Sequence, residues 1–185
     1  MNPLRLMFHV GRYWLLIRQV FSKPEKPQIF WNRVFFEINA IGIGSLGVVA
    51  IISIFMGAVI TIQSAFGFES PWIPLYAVGL AARDGIILEF APTIVSLILA
   101  GKVGSSIASE IGNMRVSEQI DAIDVMGINS ASFLILPKIV ASVFIFPFVV
   151  IISMFLGHLG GFVLGVAAGV VTPYEFIYGI QYDFR

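Results

Sequence analysis

The sequence predicts an all-α integral membrane protein, on three observations. Hydrophobic residues make up 58% of the chain and charged residues 12%, where soluble domains carry roughly 25% charge. Two runs, 38–68 and 139–174, contain no charged residue, and each exceeds the roughly 20 residues that cross about 30 Å of hydrocarbon as a helix. Neither run shows the short alternating pattern of a transmembrane barrel, whose strands alternate over about ten residues. The expected architecture is an N-terminal interfacial helix, about three transmembrane helices, and a short cytoplasmic helix between spans two and three. Two parts follow: an amphipathic segment at 1–30 and a transmembrane domain at 31–185.

The formal net charge of zero hides an asymmetry. Residues 1–33 hold six basic residues against Glu25 alone, and the remainder is correspondingly acidic. A basic leader before the first span is retained in the cytoplasm. Loop 64–84 carries one basic residue, Arg83, whereas 102–138 carries Lys102, Arg115 and Lys138, and tail 172–185 only Arg185. The N-terminus and segment 102–138 are therefore expected inside, with loop 64–84 and the tail outside. At helical spacing Leu6, Val10, Tyr13, Ile17 and Val20 form one face, while Arg5, His9, Arg12 and Gln19 line another. Such a segment, with Trp14 and Tyr13 at the boundary and closed by 22–27, suits a helix lying in the headgroup plane. No small-residue cleavage site follows a short apolar core, so a signal peptide is not indicated.

The first span is expected from near Val34 to near Gln63, with a tilt or a bend at Gly42, Gly44 and Gly47, because its run is longer than one perpendicular crossing needs. Pro74 and Pro71 around Trp72 read as an interfacial turn. The second span, 85–101, carries Glu89 and Pro92. Glu89 either lines a polar cavity or gate, or sits one turn from the surface beside Arg83 and Asp84. Its extension places Gly101/Ser105/Ser109 and Gly104/Ala108/Gly112 on two stripes of small residues, which suits close packing. The third run, 139–171, is too short for two crossings and reads as one span, tilted or kinked at Pro147. Gly157, Gly161, Gly165 and Gly169 recur every four residues, a spacing that lets helix backbones approach closely in lipid. His158 adjoins that seam and reads as a satisfied hydrogen-bonding residue between helices.

Between spans two and three lies the polar island 102–138. Val116, Ile120, Ile123 and Met126 share one arc, and Ser117, Glu118, Asp121 and Asp124 the opposite one. A helix of ten or so residues between Arg115 and Gly127, marginal alone in water, gains support by laying its apolar arc on the span ends. Gly127 stops it. Its acidic arc then faces the cytoplasm, where a partner's charge would fix register.

Several chemistries are excluded. The chain has no cysteine, hence no thiolate site. It carries no GxxxxGK[ST] phosphate loop, so any ATP and magnesium would be bound by a partner. Glu89 and His158 lie on different spans without partners, which argues against an intramembrane enzyme, and no nucleic-acid partner is indicated. Composition alone fits a channel or a structural scaffold equally well.

The stretch LEFAPTIVSLILAGKVGSSIASEIGNMRVSEQIDAIDVMGINSASFLILPKIVA, beginning at Leu88, closely resembles the MlaE/YrbE permease family, the membrane subunit of ABC transporters associated with MCE proteins. FMGAVITIQSA, Phe55–Ala65, resembles its first-span signature. The similarity runs from about 34 to 171 and is densest over 88–141. It implies a homodimeric phospholipid permease of the inner membrane, working with a cytoplasmic ABC ATPase and an MCE-domain protein on the opposite side. It implies that Ser117–Met126, within the coupling segment 102–138, is the helix seated on the ATPase, with Ser117, Glu118, Gln119, Asp121 and Asp124 as its contacts. Gln63 and Glu89 are the candidates for a substrate cavity, and Gly157, Gly161, Gly165 and Gly169 for helix packing. The family's arginine before the Glu is Leu88 here. Family members continue beyond the position of Arg185 with further spans, so the chain is expected to be truncated relative to them.

Overall fold

The computed structural model describes residues 3–22, 26–68, 70 and 72–182, with side chains from Met7 onward. Arg5 and Leu6 of the predicted amphipathic faces, Lys23, Pro24 and Glu25 of the leader's closing stretch, and Pro71 of the predicted turn lie outside what is described. Eight α-helices follow one another among the described residues: α1 (Pro3–Val20), α2 (Pro27–Ile38), α3 (Gly44–Gly67), α4 (Tyr76–Asp84), α5 (Ser96–Val116), α6 (Gln119–Val125), α7 (Ser130–Ala167) and α8 (Pro173–Gln181). Two π-helical segments, Asn39–Ile43 and Gly85–Val95, join α2 to α3 and α4 to α5.

Three continuous helices are long and apolar enough to cross a membrane: Pro27–Gly67, Tyr76–Val116 and Ser130–Ala167. The chain is thus an all-α, multi-pass membrane protein. The first and second helices contain 41 residues each and the third 38, or about 60 Å at 1.5 Å per residue. The first two begin and end well outside the expected spans. Pro27 occupies the first helical turn, where its missing N–H costs nothing. At the far end of the second, Ser, Ala and Glu continue the helix to Val116 with no proline to stop it. The expected 64–84 loop shrinks to residues 68–75, because 76–84 is already helical.

The bend expected around Gly42 takes the form of the π-helical turn at Asn39–Ile43. A methyl on Gly42 would lie 2.5 Å from Ile145 Cγ1, whereas Gly44 and Gly47 face open space. The second π-helical segment contains Pro92. Proline cannot donate to the ladder and its ring crowds the preceding turn, so a locally widened helix accommodates it. Thr93 hydroxyl donates to the Glu89 carbonyl within that segment. Helix α7 runs through Pro147 without interruption.

The chain divides into two compact units, 1–44 with 103–145 and 45–102 with 146–185. In the second, α7 packs on α3 along small residues. Added methyl groups on Gly57 and Gly160 would strike the backbones of Gly157 and Ile54 respectively, and one on Gly161 would lie 2.5 Å from Thr61 Oγ1. Thr61 turns that hydroxyl back to Gly57 O at 2.9 Å, so the buried oxygen is satisfied within its own helix. A methyl on Gly165 would meet Thr61 Cγ2 at 2.8 Å. Gly169 departs from the expected seam. It follows the end of α7 at φ +70°, where an added methyl would meet nothing, and Val170 N donates to Gly165 O at 3.2 Å across it. A left-handed glycine closing a helix in this way satisfies terminal carbonyls.

Helix α8 was not expected from the sequence. Thr172 caps it, accepting from Glu175 N at 3.3 Å and donating to Glu175 Oε2 at 2.6 Å, with Pro173 in the first turn. It packs on α4 where Gly79 meets Gly179: a methyl on Gly79 would lie 2.6 Å from Phe176 O. Arg83, the penultimate residue of α4, donates to Ile180 O at 3.1 Å and Tyr182 O at 2.8 Å. A guanidinium there satisfies the last carbonyls of α8 and faces the negative end of its dipole. Val78, Ala82, Val171 and Phe176 form the core beneath.

These contacts give the seam a measurable signature. Gly160→Leu forces backbones apart and should cost about 3 kcal/mol, the upper part of the overpacking range. Gly101→Ala, at a helical position facing open space, should be neutral or stabilising by up to about 1 kcal/mol. Unfolding of both variants in detergent, followed by circular dichroism, checks the contrast.

Candidate coupling site

Residues 103–138 of the island belong to the first compact unit, together with α1 and α2. Its geometry is set at two backbone positions. Glu118 has φ +58°, the only positive φ outside glycine among the described residues. A side-chain-bearing residue there is disfavoured by about 1–2 kcal/mol, so the turn is held by its surroundings. Ser117 supplies part of that hold: its N–H and its hydroxyl both donate to Asn113 O, at 3.0 and 2.8 Å. The chain thereby leaves α5 and restarts as α6. Gly127, at φ +78°, ends it, with Gly127 N on Asp124 O at 3.0 Å and Ile128 N on Ile123 O at 3.3 Å.

The expected ten-residue helix is accordingly seven residues, Gln119–Val125. Ser117 lies in the turn, Glu118 occupies the left-handed position, and Gln119 opens the helix. Asp121 pairs with Arg115 across the turn, whereas Asp124 is exposed. Both partners of that pair are more than half exposed, at 63% and 54%, so it contributes less than about 1 kcal/mol.

The apolar arc is not laid down as expected. Ile123 is buried and Ile120 half-buried, but Val116 is 85% exposed and Met126 67%, and Val125 beside it is 88% exposed. The left-handed turn at Glu118 rotates Val116 out of register with α6, so one continuous face cannot form. The small-residue stripes of α5 are similarly open. Gly101, Gly104, Ser105, Ala108, Ser109 and Gly112 are exposed, and methyl groups on the three glycines would meet nothing.

A buried ion cluster fixes what surrounds the turn. Lys138 Nζ donates to Glu37 Oε1 at 2.6 Å and to Glu110 Oε2 at 2.7 Å. The lysine side chain is 4% exposed and that of Glu37 15%, whereas Glu110 keeps half its surface in solvent. One ammonium thus joins α2, α5 and α7. Nearby in sequence, Arg33 lies over the Phe133 ring at 3.7 Å and donates to Phe133 O at 3.3 Å. This second cationic contact between α2 and α7 is independent of the first.

Asn129 makes a further link. Its amide donates to Gln19 O at 3.1 Å and Ser22 Oγ at 2.9 Å, while its oxygen accepts from Ser132 N at 3.3 Å. Ser132 Oγ donates to Ser22 O at 3.1 Å. One side chain thus caps the start of α7 and satisfies the end of α1.

The remaining candidates lie in the other unit. Gln63 and Glu89 are both exposed, and neither lines the groove beside His158 or the cavity between Ala65 and Val170. Arg83 is bonded to Asp84 at 2.9 Å as well as to the end of α8. One cavity, of about 450 Å³, is an apolar groove lined by Ile87, Met154, His158 and Phe176 among others. His158 Nδ1 lies 2.7 Å from Met154 O, one turn back on its own helix, and therefore donates within α7 rather than across to another span. No group of three or more metal-ligating side chains occurs among the described residues.

Compared with known proteins, the chain matches the family described as Permease MlaE over residues 34–185. It belongs to that family. It is 32% identical over 89% of its length to a probable ABC transporter permease protein of Rickettsia bellii, of which it covers 63%. It is 30% identical over 91% of its length to a probable ABC transporter permease protein of Synechocystis, covering 64%. It is 31% identical over 90% of its length to the chloroplastic protein trigalactosyldiacylglycerol 1 of Arabidopsis thaliana, covering 45%. The chain therefore spans less than two thirds of the length of these relatives. Membership covers α3 to α8 whole, and both ends of the Lys138 cluster, since Glu37, Glu110 and Lys138 fall inside the matched range.

The cluster predicts a test within this unit. Lys138→Met leaves the half-buried Glu37 beside a half-exposed Glu110 without their shared lysine. The loss should be about 3 kcal/mol, the low end for a broken buried pair, because solvent reaches Glu110. The double change Glu37→Gln with Lys138→Met should recover most of it, and chemical unfolding in mild detergent compares the two.

Proposed function

We propose that this chain is the membrane permease subunit of an ABC transporter that moves phospholipid between the inner membrane and an MCE-domain partner on its outer side. ATP, with magnesium, is bound and hydrolysed by a separate cytoplasmic ATPase that docks on 117–126. The permease works as a homodimer with its N-terminus in the cytoplasm. The observation that carries the reading is the exposed surface of α6 and its flanking turns. Val116, Val125 and Met126 stand out among Glu118, Asp121 and Asp124. Exposed apolar side chains ringed by charge are the composition of a docking patch, in which the apolar contacts supply affinity and the charges orient the partner. The names of the Rickettsia and Synechocystis relatives support an ABC permease. The Arabidopsis relative's name, that of a galactosyl diacylglycerol, supports a lipid as cargo.

In this mechanism the permease performs no bond chemistry. Closure of the ATPase dimer displaces α6, and the displacement passes to α5 through the Ser117–Glu118 turn and to α7 through Gly127–Asn129. The Lys138 cluster ties α2 to the same movement, so all three spans respond. Gln63 and Glu89, as polar groups on exposed helix faces, are the candidates to meet a lipid headgroup in the assembled transporter.

Docking can be measured directly. Glu118→Lys with Asp124→Lys should abolish co-purification with the ATPase, and Val125→Ala with Met126→Ala should weaken it by at least tenfold, as for two central apolar contacts of above about 1 kcal/mol each. Lys substitutions at exposed Ser105 and Ser109 should leave binding unchanged. Undiminished capture of the ATPase by the charge-reversed protein would reject the assignment.

A further inference from the structure

Helix α1 is apolar and basic at once, and the rest of its unit covers little of it. Val20 is buried and Ile17 half-buried, but Phe8, Val10, Tyr13, Trp14, Leu15 and Met7 are each between 59% and 71% exposed. Its charged residues are arginines without exception, with no acidic residue from Pro3 to Val20, and Arg12 and Arg18 are exposed. A helix so exposed and so apolar is unsuited to bulk water. Arginine stems can lie along apolar surface while their guanidinium groups reach outward to phosphate. The combination of uniformly positive charge with aromatic and aliphatic surface complements one environment: the headgroup layer of an anionic bilayer.

The end of this helix is not loose. Asn129 bonds Gln19 O and Ser22 Oγ, and Ser132 bonds Ser22 O. Asn129 follows Gly127 by two residues, at the exit from α6, and the same side chain accepts from Ser132 N to cap α7. The position of α1 and the geometry of the α6–α7 junction therefore share one amide group. Any surface that fixes α1 also fixes the acceptors on which Asn129 rests.

We propose that α1 docks on anionic lipid headgroups and that Asn129 transmits this docking to the α6–α7 junction, so that surface charge of the membrane orders the segment that receives the ATPase. The coupling role of α6 is the reading given above, but the lipid response and its transmission stand without it. Anionic lipid would act as a positive effector, binding more tightly to the state in which α1 and the junction are both ordered.

The test uses the full chain, reconstituted without ATPase in vesicles of phosphatidylcholine containing increasing phosphatidylglycerol. The absence of native cysteine allows one environment-sensitive fluorophore on Leu15→Cys to report depth. Hydrogen exchange at residues 119–132 reports the junction. Phosphatidylglycerol should deepen the probe and protect the junction, and high salt should reverse both. Arg12→Gln with Arg18→Gln should weaken surface binding about 30-fold, at about fivefold per basic residue. Arg→Lys at both positions should preserve the response. Asn129→Ala should keep the depth response and lose the junction response. Equal depth in neutral and anionic vesicles would overturn lipid docking and leave a protein surface as the cover for α1. A junction response that survives Asn129→Ala would overturn the transmission. Either failure leaves ATPase docking on α6 untouched, since no ATPase is present.

Discussion

One ammonium group between two carboxylates organises the unit that contains α6. Lys138 is nearly excluded from solvent and reaches Glu37 and Glu110 at 2.6 and 2.7 Å. Burying a lysine is costly unless its charge is matched and its protons are bonded. Two carboxylates more than match it, leaving the cluster with one net negative charge, which the half-exposed Glu110 can share with water. The three residues lie on three different helices. Their contacts therefore set the spacing of α2, α5 and α7 at the point where an apolar contact would have permitted sliding.

Around that fixed point the local backbone supplies the turns. Glu118 in the left-handed region breaks α5 from α6, and Gly127 breaks α6 from the approach to α7. The first position is strained, and the second, being glycine, is not. A strained turn beside an unstrained one gives the short helix two different hinges. Ser117 adds a hydroxyl bond to Asn113 O at the first break, and Asn129 accepts from Ser132 N after the second. In the other unit the same economy of contact appears in a different form. Glycines and Thr61 bring α3 and α7 together by removing side chains rather than by pairing charges. Packing of that kind suits hydrocarbon, where helices gain little from the hydrophobic effect.

The sequence made the spans legible because hydrocarbon imposes a simple demand: about 20 apolar residues and no unpaired charge. It made the glycine spacing at 157, 161 and 165 legible because four-residue steps stay on one helix face. It missed Gly160, which lies off that stripe yet meets Ile54, and it misread Gly169, whose position past the helix end no spacing rule shows. The Lys138 cluster escaped for a different reason. Glu37 and Lys138 border apolar runs, and charges at such edges need partners, but these two are 101 residues apart. The α8 helix carries a local signal: Thr172-Pro173 followed by Glu175 is a capping arrangement with proline in the first turn. The exposed Val116 and Met126 could not be foreseen from helical periodicity, because the periodicity assumes that no left-handed residue intervenes.

If Lys138 organises this unit, it holds α2 and the α6 region at one fixed separation. The chain has no native cysteine, so spin labels can be placed at Gln28 and Asp124 alone and the distance between them measured by pulsed electron paramagnetic resonance. The native chain should give a single narrow distance distribution, and Lys138→Gln a broad or divided one. A distribution equally narrow and unshifted in Lys138→Gln would show that the apolar packing of these helices suffices, and that the buried lysine does not organise them.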